Sequence, residues 1–220
     1  MSDFPRSPRL LRGGLVLLDA DDPSTPPRVL VLQYNPDSLS RTLQVQGAPP
    51  DAAGHNEILR LKGPPVESIK LDAEIDATDQ LEHPDDNPAA AQFGLHPQLA
   101  ALEMLVYPTS TDLQSNKALA DQGVLEILPA SGPLTLFVWS ASRVVPVRIT
   151  DFSITEEAFD TSLNPIRAKV SLGMRVLSVN DFGFDGTGAS IYMLYQQAKE
   201  RLASMNLPAV IGQLGLGGVP

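Results

Sequence analysis

Alternating apolar and polar residues at positions 144–178 predict a long β-hairpin. The pattern is clearest in the second arm, where a period of two places alternate side chains on opposite faces of a strand. The apolar positions of this arm are Ile166, Ala168, Val170, Leu172, Met174 and Val176, and the residues between them include Arg167, Lys169 and Arg175. The sequence therefore predicts one buried face and one polar, basic face.

The first arm of the hairpin changes phase along its length. Apolar residues occupy odd positions as far as Ile149 but even positions from Phe152 onward. A slip of one residue would turn the buried face outward, so we predict a β-bulge near Thr150 and Asp151.

A cluster of turn-forming residues at positions 159–165 joins the two arms. It ends in Asn164-Pro165, a pair that favours turn initiation. Strands usually span about five or six residues, so this hairpin is long for a small compact sheet. We expect its outer end to leave the domain and to pair with another surface.

Shorter alternating runs, bounded by prolines and glycines, predict further strands. These strands lie at residues 10–20, 28–34, 38–46, 66–77, 124–128 and 134–140. Apolar residues spaced by three and four predict helices at residues 97–107 and 189–205. The last helix is expected to pack on the sheet through Ile191, Leu194, Tyr195, Ala198 and Leu202.

These elements predict a mainly β protein of the α+β kind, with a β-barrel or sandwich, a long protruding hairpin and one or two flanking helices. We expect one β-domain over residues 1–206. Residues 79–122 would form an acidic exposed linker and a short helix inserted in that domain, and the glycine-rich residues 207–220 a flexible tail.

Composition excludes several functional classes. The 220 residues include no cysteine, which excludes disulfides, thiolate zinc sites and cysteine nucleophiles. A formal net charge of −10 argues against nucleic-acid binding, which needs a basic surface. No apolar run reaches the about 20 residues that span a bilayer, and residues 1–12 lack the apolar core of a signal peptide. We therefore expect neither direct membrane insertion nor Sec export.

The best candidate for enzyme chemistry is a row of three carboxylates, Asp72, Glu74 and Asp76. Carboxylates grouped on one strand face can act as general acid and base or hold a hard cation. Their alternation with apolar residues has a simpler explanation, a solvated or interface-facing strand. The three histidines have no ligand spacing, and no serine lies in a G-x-S-x-G motif. We expect no catalytic residue, cofactor or metal.

Three blocks of the sequence, in order, resemble the tube-type proteins of contractile injection systems, which are phage-tail-like particles. Residues 33–39, with Tyr34, Asn35 and Pro36, resemble the opening F-x-Y/F-N-P-x-S/T motif of that family. Residues 66–79, with Glu67, Asp72 and Asp76, resemble its second block. Residues 159–177 resemble the third block and include Asn164, Pro165, Arg167, Lys169 and Arg175.

The resemblance covers about residues 10–205 and implies a structural role. Family members are inner-tube and baseplate-hub adaptor subunits arranged as six-fold rings. An adaptor would contact inner-tube, spike, sheath and baseplate-wedge proteins. It would assemble in the bacterial cytoplasm and then belong to the particle. Larger members carry a C-terminal LysM module, for which this chain has no room, so a short form is expected.

The basic face of the hairpin suggests one specific contact. We expect Arg167, Lys169 and Arg175 to meet the acidic strand of a neighbouring subunit, with Asp72, Glu74 and Asp76 as the candidates. The alternative function is a small carbohydrate-binding or carbohydrate-processing β-domain that uses the same three carboxylates.

Overall fold

The computed structural model describes residues 11–19, 24–47, 60–123 and 132–206, and these residues form seven strands and six helices. The strands are β1 (Gly14–Leu18), β2 (Arg28–Val31), β3 (Leu39–Gln44), β4 (Val66–Asp76), β5 (Leu134–Ser140), β6 (Arg143–Phe159) and β7 (Pro165–Val176). The helices are α1 (Thr78–Leu81), α2 (Pro88–Phe93), α3 (His96–Glu103), α4 (Ser110–Asp121), α5 (Val179–Phe182) and α6 (Thr187–Ser204). The mainly β class is confirmed.

All seven strands belong to one antiparallel sheet with the order β2-β1-β5-β6-β7-β4-β3. The sheet curls, because Leu30 and Leu32 at the β2 end pack on the same core as Ile75 of β4. Among the described residues, β2 and β3 do not pair with each other, so strand pairing does not close the sheet. The predicted strand at residues 124–128 lies outside the described residues.

The predicted hairpin is confirmed as β6 and β7, and its bulge is where the sequence placed it. Ile149 pairs with Met174 and Asp151 pairs with Gly173, which leaves Thr150 as the extra residue. The bulge restores the phase, so that Phe152 lies opposite Leu172 and packs against the core.

The core lies between the concave face of the sheet and helices α3 and α6. The predicted apolar face of β7 supplies its centre, since Ala168, Val170, Leu172, Met174 and Val176 are each at most 4% exposed. Fully burying a side chain such as valine or leucine contributes about 1.5–3 kcal/mol. The α3 residues Leu99 and Leu102 cover one part of this face, and Tyr192 and Tyr195 of α6 cover another.

At the outer end of the hairpin, β6 has no second partner strand among the described residues, whereas β7 still pairs with β4. On the β7 side it stays attached, because β4 pairs with β7 as far as Arg167 and the Ala77 N–H donates to the Ile166 carbonyl. Beyond the turn, the Leu95 N–H donates to the Pro165 carbonyl at 2.9 Å. The outer end of the hairpin was expected to leave the domain, and the β7 arm instead stays attached to β4 as far as Arg167.

The acidic segment expected to be an exposed linker is folded and helical. Residues 79–94 contain most of α1 and all of α2, and Ala90 is buried. The segment is held by the hairpin turn, which explains its order despite its polar composition. Helix α4 was not predicted, although Thr109 and Asp112 form a capping box, a pattern that the sequence displays.

Helix α6 begins and ends close to its predicted bounds but buries a different face. Gly188, Ala189, Tyr192 and Tyr195 are buried. Leu194 and Leu202, which were expected to face the sheet, are 64% and 50% exposed. Only Tyr195 was correctly placed among the fully buried residues.

The hairpin turn approaches Gly94 so closely that a side chain does not fit there. A β-carbon on Gly94 would lie 2.5 Å from the Pro165 carbonyl oxygen, and the φ of 57° is one that residues with side chains rarely adopt. This close approach attaches α2 and α3 to the end of β7.

We expect Gly94→Ala to lower the free energy of unfolding by more than the about 1–3 kcal/mol that such backbone strain costs, because its φ of 57° and ψ of −131° are values that essentially only glycine adopts. The clash of the new methyl group with Pro165 adds to this strain. The matched control is Gly123→Ala, where φ is also positive, at 79°, and no described atom lies within 4 Å. Urea unfolding of both variants measures the difference, and equal losses would show that the Pro165 contact contributes nothing.

Candidate functional site

The side-chain amide of Gln33 takes the place of a neighbouring strand at the end of β4. Its Nε2 donates to the Asp76 carbonyl at 2.7 Å, and its Oε1 accepts from the Asp76 N–H at 2.9 Å. This two-way bond satisfies backbone groups where β3 does not extend, because the β3–β4 pairing reaches only Leu71. Gln33 thereby joins the chain after β2 to β4.

Asn35 makes the same kind of bond to the chain that enters β1. Its Nδ2 donates to the Leu11 carbonyl at 2.8 Å, and its Oδ1 accepts from the Gly13 N–H at 2.9 Å. Tyr34 and Pro36 lie on either side and line a shallow cleft that also contains Asp72, Glu74 and Lys169. Residues 33–36 thus connect the chain that enters β1 with the end of β4 through the side chains of Gln33 and Asn35.

The acidic side of β4 lies directly beside the basic side of β7 in the same chain. Arg167 Nε lies 3.0 Å from an Asp76 carboxylate oxygen, and Lys169 Nζ lies 3.4 Å from a Glu74 oxygen. Ser171 donates a hydrogen bond to Asp72. The pairs follow the strand register, in which residues 72, 74 and 76 face residues 171, 169 and 167.

This geometry corrects the expected contact with a neighbouring subunit. The acidic partners of Arg167 and Lys169 are supplied by β4 of the same chain, and Arg175 bonds to Asp181 at 2.7 Å. The Thr78 hydroxyl, the Thr78 N–H and Arg167 together hold the pKa of Asp76 below its ordinary value. The three carboxylates of β4 are therefore partnered groups on a polar sheet face.

Glu67 is the one charged interface candidate that the structure buries. It is 3% exposed, and its carboxylate accepts from Arg41 Nε at 2.7 Å and from the Tyr195 hydroxyl at 3.1 Å. Arg41 Nη2 also donates to the Tyr195 oxygen at 2.9 Å. A buried charge needs such a partnered environment, so this cluster attaches α6 to β3 and β4.

Lys199 completes this cluster and was not foreseen from the sequence. Its Nζ lies 4.2 Å from the centre of the Tyr195 ring, and burial lowers the pKa of Lys199. Burial and the Glu67 carboxylate raise the pKa of Tyr195 to about 12. Arg41, Tyr195 and Lys199 are far apart along the chain, so no motif of fixed spacing connects them with Glu67.

Asn164 and Pro165 have structural roles in the hairpin turn. Asp160 Oδ1 accepts from the N–H groups of Ser162 and Asn164, and Asp160 Oδ2 accepts from Asn164 Nδ2. These bonds, led by the Asn164 side chain, lower the pKa of Asp160. Asn164 Nδ2 also donates to the Gln92 carbonyl, and Pro165 is fully buried.

One long strand edge has no partner strand in the described part of the chain. The pairing of β6 with β5 ends at Val147, so residues 148–159 pair with β7 on one edge only. We call the other edge of residues 148–159 the outer edge of β6. Exposed edges are usually guarded by charges, prolines or bulges. Residues 152–155 contain neither charge nor proline, which leaves this part unguarded.

No enzyme-like site stands out in the described residues. A cleft of about 640 Å³ lies between β2, α3 and the core face of β4 and β7, and its walls are mainly apolar. Within the described ranges, no three Asp, Glu or His side chains are grouped to hold a metal ion. None of the helices described is both long and apolar enough to cross a membrane.

Comparison of the sequence with protein-family models and with curated proteins finds no match.

The Tyr195–Glu67 contact predicts a specific loss of stability in alkali. The folded protein holds the Tyr195 proton up to about pH 12, whereas the unfolded chain releases it near pH 10. The stabilisation is therefore complete below about pH 10 and is lost as the pH rises towards 12. We expect Tyr195→Phe to reduce the fall in unfolding free energy between these pH values.

Urea unfolding at about pH 8, 10 and 11.5 measures this change. The matched control is Tyr107→Phe, because Tyr107 is 64% exposed. The pKa of Tyr192 is also raised by burial, so the Tyr195→Phe protein should still lose some unfolding free energy between these pH values. An equal fall in unfolding free energy in the variant and in the unmodified protein would contradict the role assigned to Tyr195.

Proposed function

We propose that this chain is a ring-forming structural subunit of a contractile injection system. It would join the spike or hub to the inner tube and contact the first sheath or baseplate layer. The observation that carries the proposal is the outer edge of β6, which has no partner strand among the described residues and belongs to a hairpin whose other arm is attached to the sheet. The ordered resemblance of residues 33–39, 66–79 and 159–177 to the tube-type family supports it.

The partner of the outer edge of β6 is the outer edge of β3 in the next copy. β3 pairs only with β4, so its second edge is also without a partner among the described strands. These two edges bound the four-stranded part of the sheet formed by β3, β4, β7 and β6. Joining different edges of successive copies is a heterologous contact, which closes into a ring when the rotation permits.

Side chains at the two edges are compatible. On the polar face, β6 presents Ser153 and Thr155, and β3 presents Ser40 and Thr42, so no like charges meet. On the other face, the half-buried Phe152 and Ile154 would lie beside Leu43, which is 48% exposed. Strand addition would satisfy the edge backbone groups and cover these apolar side chains.

Six copies, the number that the family resemblance implies, would enclose a channel lined by the polar face of β4 and β7. The subunit would assemble in the bacterial cytoplasm before joining the particle. The carbohydrate alternative has less support, because Asp72, Glu74 and Asp76 each have a partner on β7 or α1.

An engineered disulfide tests the lateral contact, because the chain contains no cysteine. We expect Ser153→Cys combined with Ser40→Cys or Thr42→Cys to form covalent multimers up to the ring size under mild oxidation. Within one chain these positions are separated by three strand spacings, about 14 Å. That separation exceeds the about 7 Å limit between α-carbons of a disulfide. Non-reducing electrophoresis separates the multimers.

The single-cysteine variants are the controls and should give dimers at most. Two partner positions on β3 sample registers that differ by two residues. The double variants are oxidised at concentrations where light scattering shows the unmodified protein to be a multimer. If both double variants then give only monomers, the contact between copies does not join β6 to β3. Monomeric protein at all concentrations would contradict a ring formed by this chain alone.

A tagged pull-down from the native host tests the wider role. We expect sheathed particles in the electron microscope, with sheath, spike and wedge proteins identified by mass spectrometry. Recovery of the chain alone, in cells that produce such particles, would contradict the adaptor role. Asp72→Asn and Asp76→Asn would then be tested for loss of carbohydrate binding or turnover.

A further inference from the structure

One cleft of the described structure takes no part in the proposed contact between β6 and β3. This cleft of about 640 Å³, here called the apolar cleft, opens beside β2 and beside the part of β4 that β3 does not reach. It therefore lies at the gap in the curled sheet, which strand pairing among the described residues does not close. Its volume is within the range of about 300–1,000 Å³ that is usual for small-molecule sites.

The walls of the apolar cleft belong to the protein core. They include the side chains of six residues that are each at most 9% exposed, namely Leu15, Leu32, Ile75, Leu102, Val170 and Leu172. At the mouth, Val31 and Tyr34 are 58% and 47% exposed. An apolar group that enters the cleft is therefore removed from water by core side chains, and it covers exposed apolar surface at the mouth.

Gln98 of α3 gives the apolar cleft a polar group without a partner. Its side chain lines the cleft, and its buried Oε1 has no hydrogen-bond partner among the described residues. A buried acceptor without a donor is unfavourable, so a donor placed in the cleft would stabilise it. The bond from Gln98 Nε2 to Gln80 Oε1 is long, at 3.4 Å, so little is lost when the amide turns towards such a donor.

The charges at the apolar cleft favour an uncharged occupant. The charged residues of its lining are Arg12 and Asp79, whose charges cancel. An ion that entered the apolar part would lose its hydration without gaining a matching charge from the core side chains. An apolar body with an O–H or N–H donor suits both the walls and Gln98.

We propose that the apolar cleft binds an uncharged amphipathic small molecule, with its apolar body against the core and an O–H or N–H group that donates to Gln98 Oε1. Long-chain alcohols and acyl amides belong to this chemical class. The molecule would connect β2 and α3 with β4 and β7 across the gap in the sheet. One chain supplies all of the lining residues, so the site goes beyond the proposed ring and does not depend on it.

Fluorescence of N-phenyl-1-naphthylamine, an apolar probe with an N–H donor, tests the site. We expect saturable binding to the unmodified protein and displacement of the probe by 1-decanol. Ala101→Trp should weaken probe binding at least about tenfold, because Ala101 lines the cleft and a large side chain there fills its mouth. The matched control is Ala100→Trp, at the neighbouring exposed position of α3, which does not line the cleft and should leave binding unchanged.

Two isomeric ligands test the role of Gln98. 1-Decanol and 1-methoxynonane contain the same atoms, but only the alcohol has an O–H donor. We expect the alcohol to displace the probe from the unmodified protein at an about threefold to tenfold lower concentration, which corresponds to one added hydrogen bond. In Gln98→Leu this preference should disappear. Without ligand, Gln98→Leu should not lower the urea midpoint of unfolding, because the variant has no unpartnered acceptor at this position.

Absence of saturable probe binding to the unmodified protein would overturn the proposal, as would equal binding to Ala101→Trp. A preference for 1-decanol that persists in Gln98→Leu would overturn the role of Gln98 Oε1. Binding to the monomer that is lost in the multimer would assign the cleft to a neighbouring copy instead. Disulfide-linked multimers without probe binding would retain the ring and reject the site, whereas probe binding without such multimers would retain the site and reject the contact between β6 and β3.

Discussion

The structure depends on the pairing of β7 along both of its edges. Residues 167–175 pair with β4, and β6 continues on the other side from the turn to Val176. The inward side chains of β7 form the centre of the core, and its outward side chains bond to Asp72, Glu74 and Asp76. A change in the β7 register would disturb the core and the polar face together, because successive residues point to opposite faces.

Side chains complete the structure where the strands stop. Gln33 and Asn35 each supply a donor and an acceptor to backbone groups of β4 or of the chain entering β1. Burying such groups without partners would be unfavourable, so two amides help to hold the curled sheet together. The Glu67–Arg41–Tyr195 cluster does the same for α6, whose outward face is left with exposed leucines. The residues that carry the family resemblance at positions 33–36 thus have a direct structural explanation.

The proposed lateral contact depends on backbone hydrogen bonds rather than on charge. Residues 152–155 of β6 and the β3 residues Ser40 and Thr42 offer backbone groups and uncharged side chains, which respond little to salt. Charged residues lie on either side of this part of the β6 edge, namely Arg148, Asp151, Glu156 and Glu157.

Local patterns in the sequence determined the mainly β class, the two arms of the hairpin, the bulge near Thr150 and the buried face of β7. Alternation and phase are properties of neighbouring residues, so they can be identified without knowledge of the fold. The capping box of Thr109 and Asp112 was equally local, and it was overlooked. Residues 79–94 show the limit of composition, because their helices are held by the distant hairpin turn at Pro165.

Only the tertiary structure decided which distant residues meet. Asp76 and Arg167 are 91 positions apart, and Glu67 and Tyr195 are 128 positions apart. The register of β4 on β7 made the acidic and basic rows partners within one chain, which the sequence had assigned to different subunits. The bond between Tyr195 and Glu67 likewise set the rotation of α6, so that Tyr192 is buried and Leu194 faces solvent. Periodicity identifies the faces of an element, but long-range pairing selects the face that meets the core.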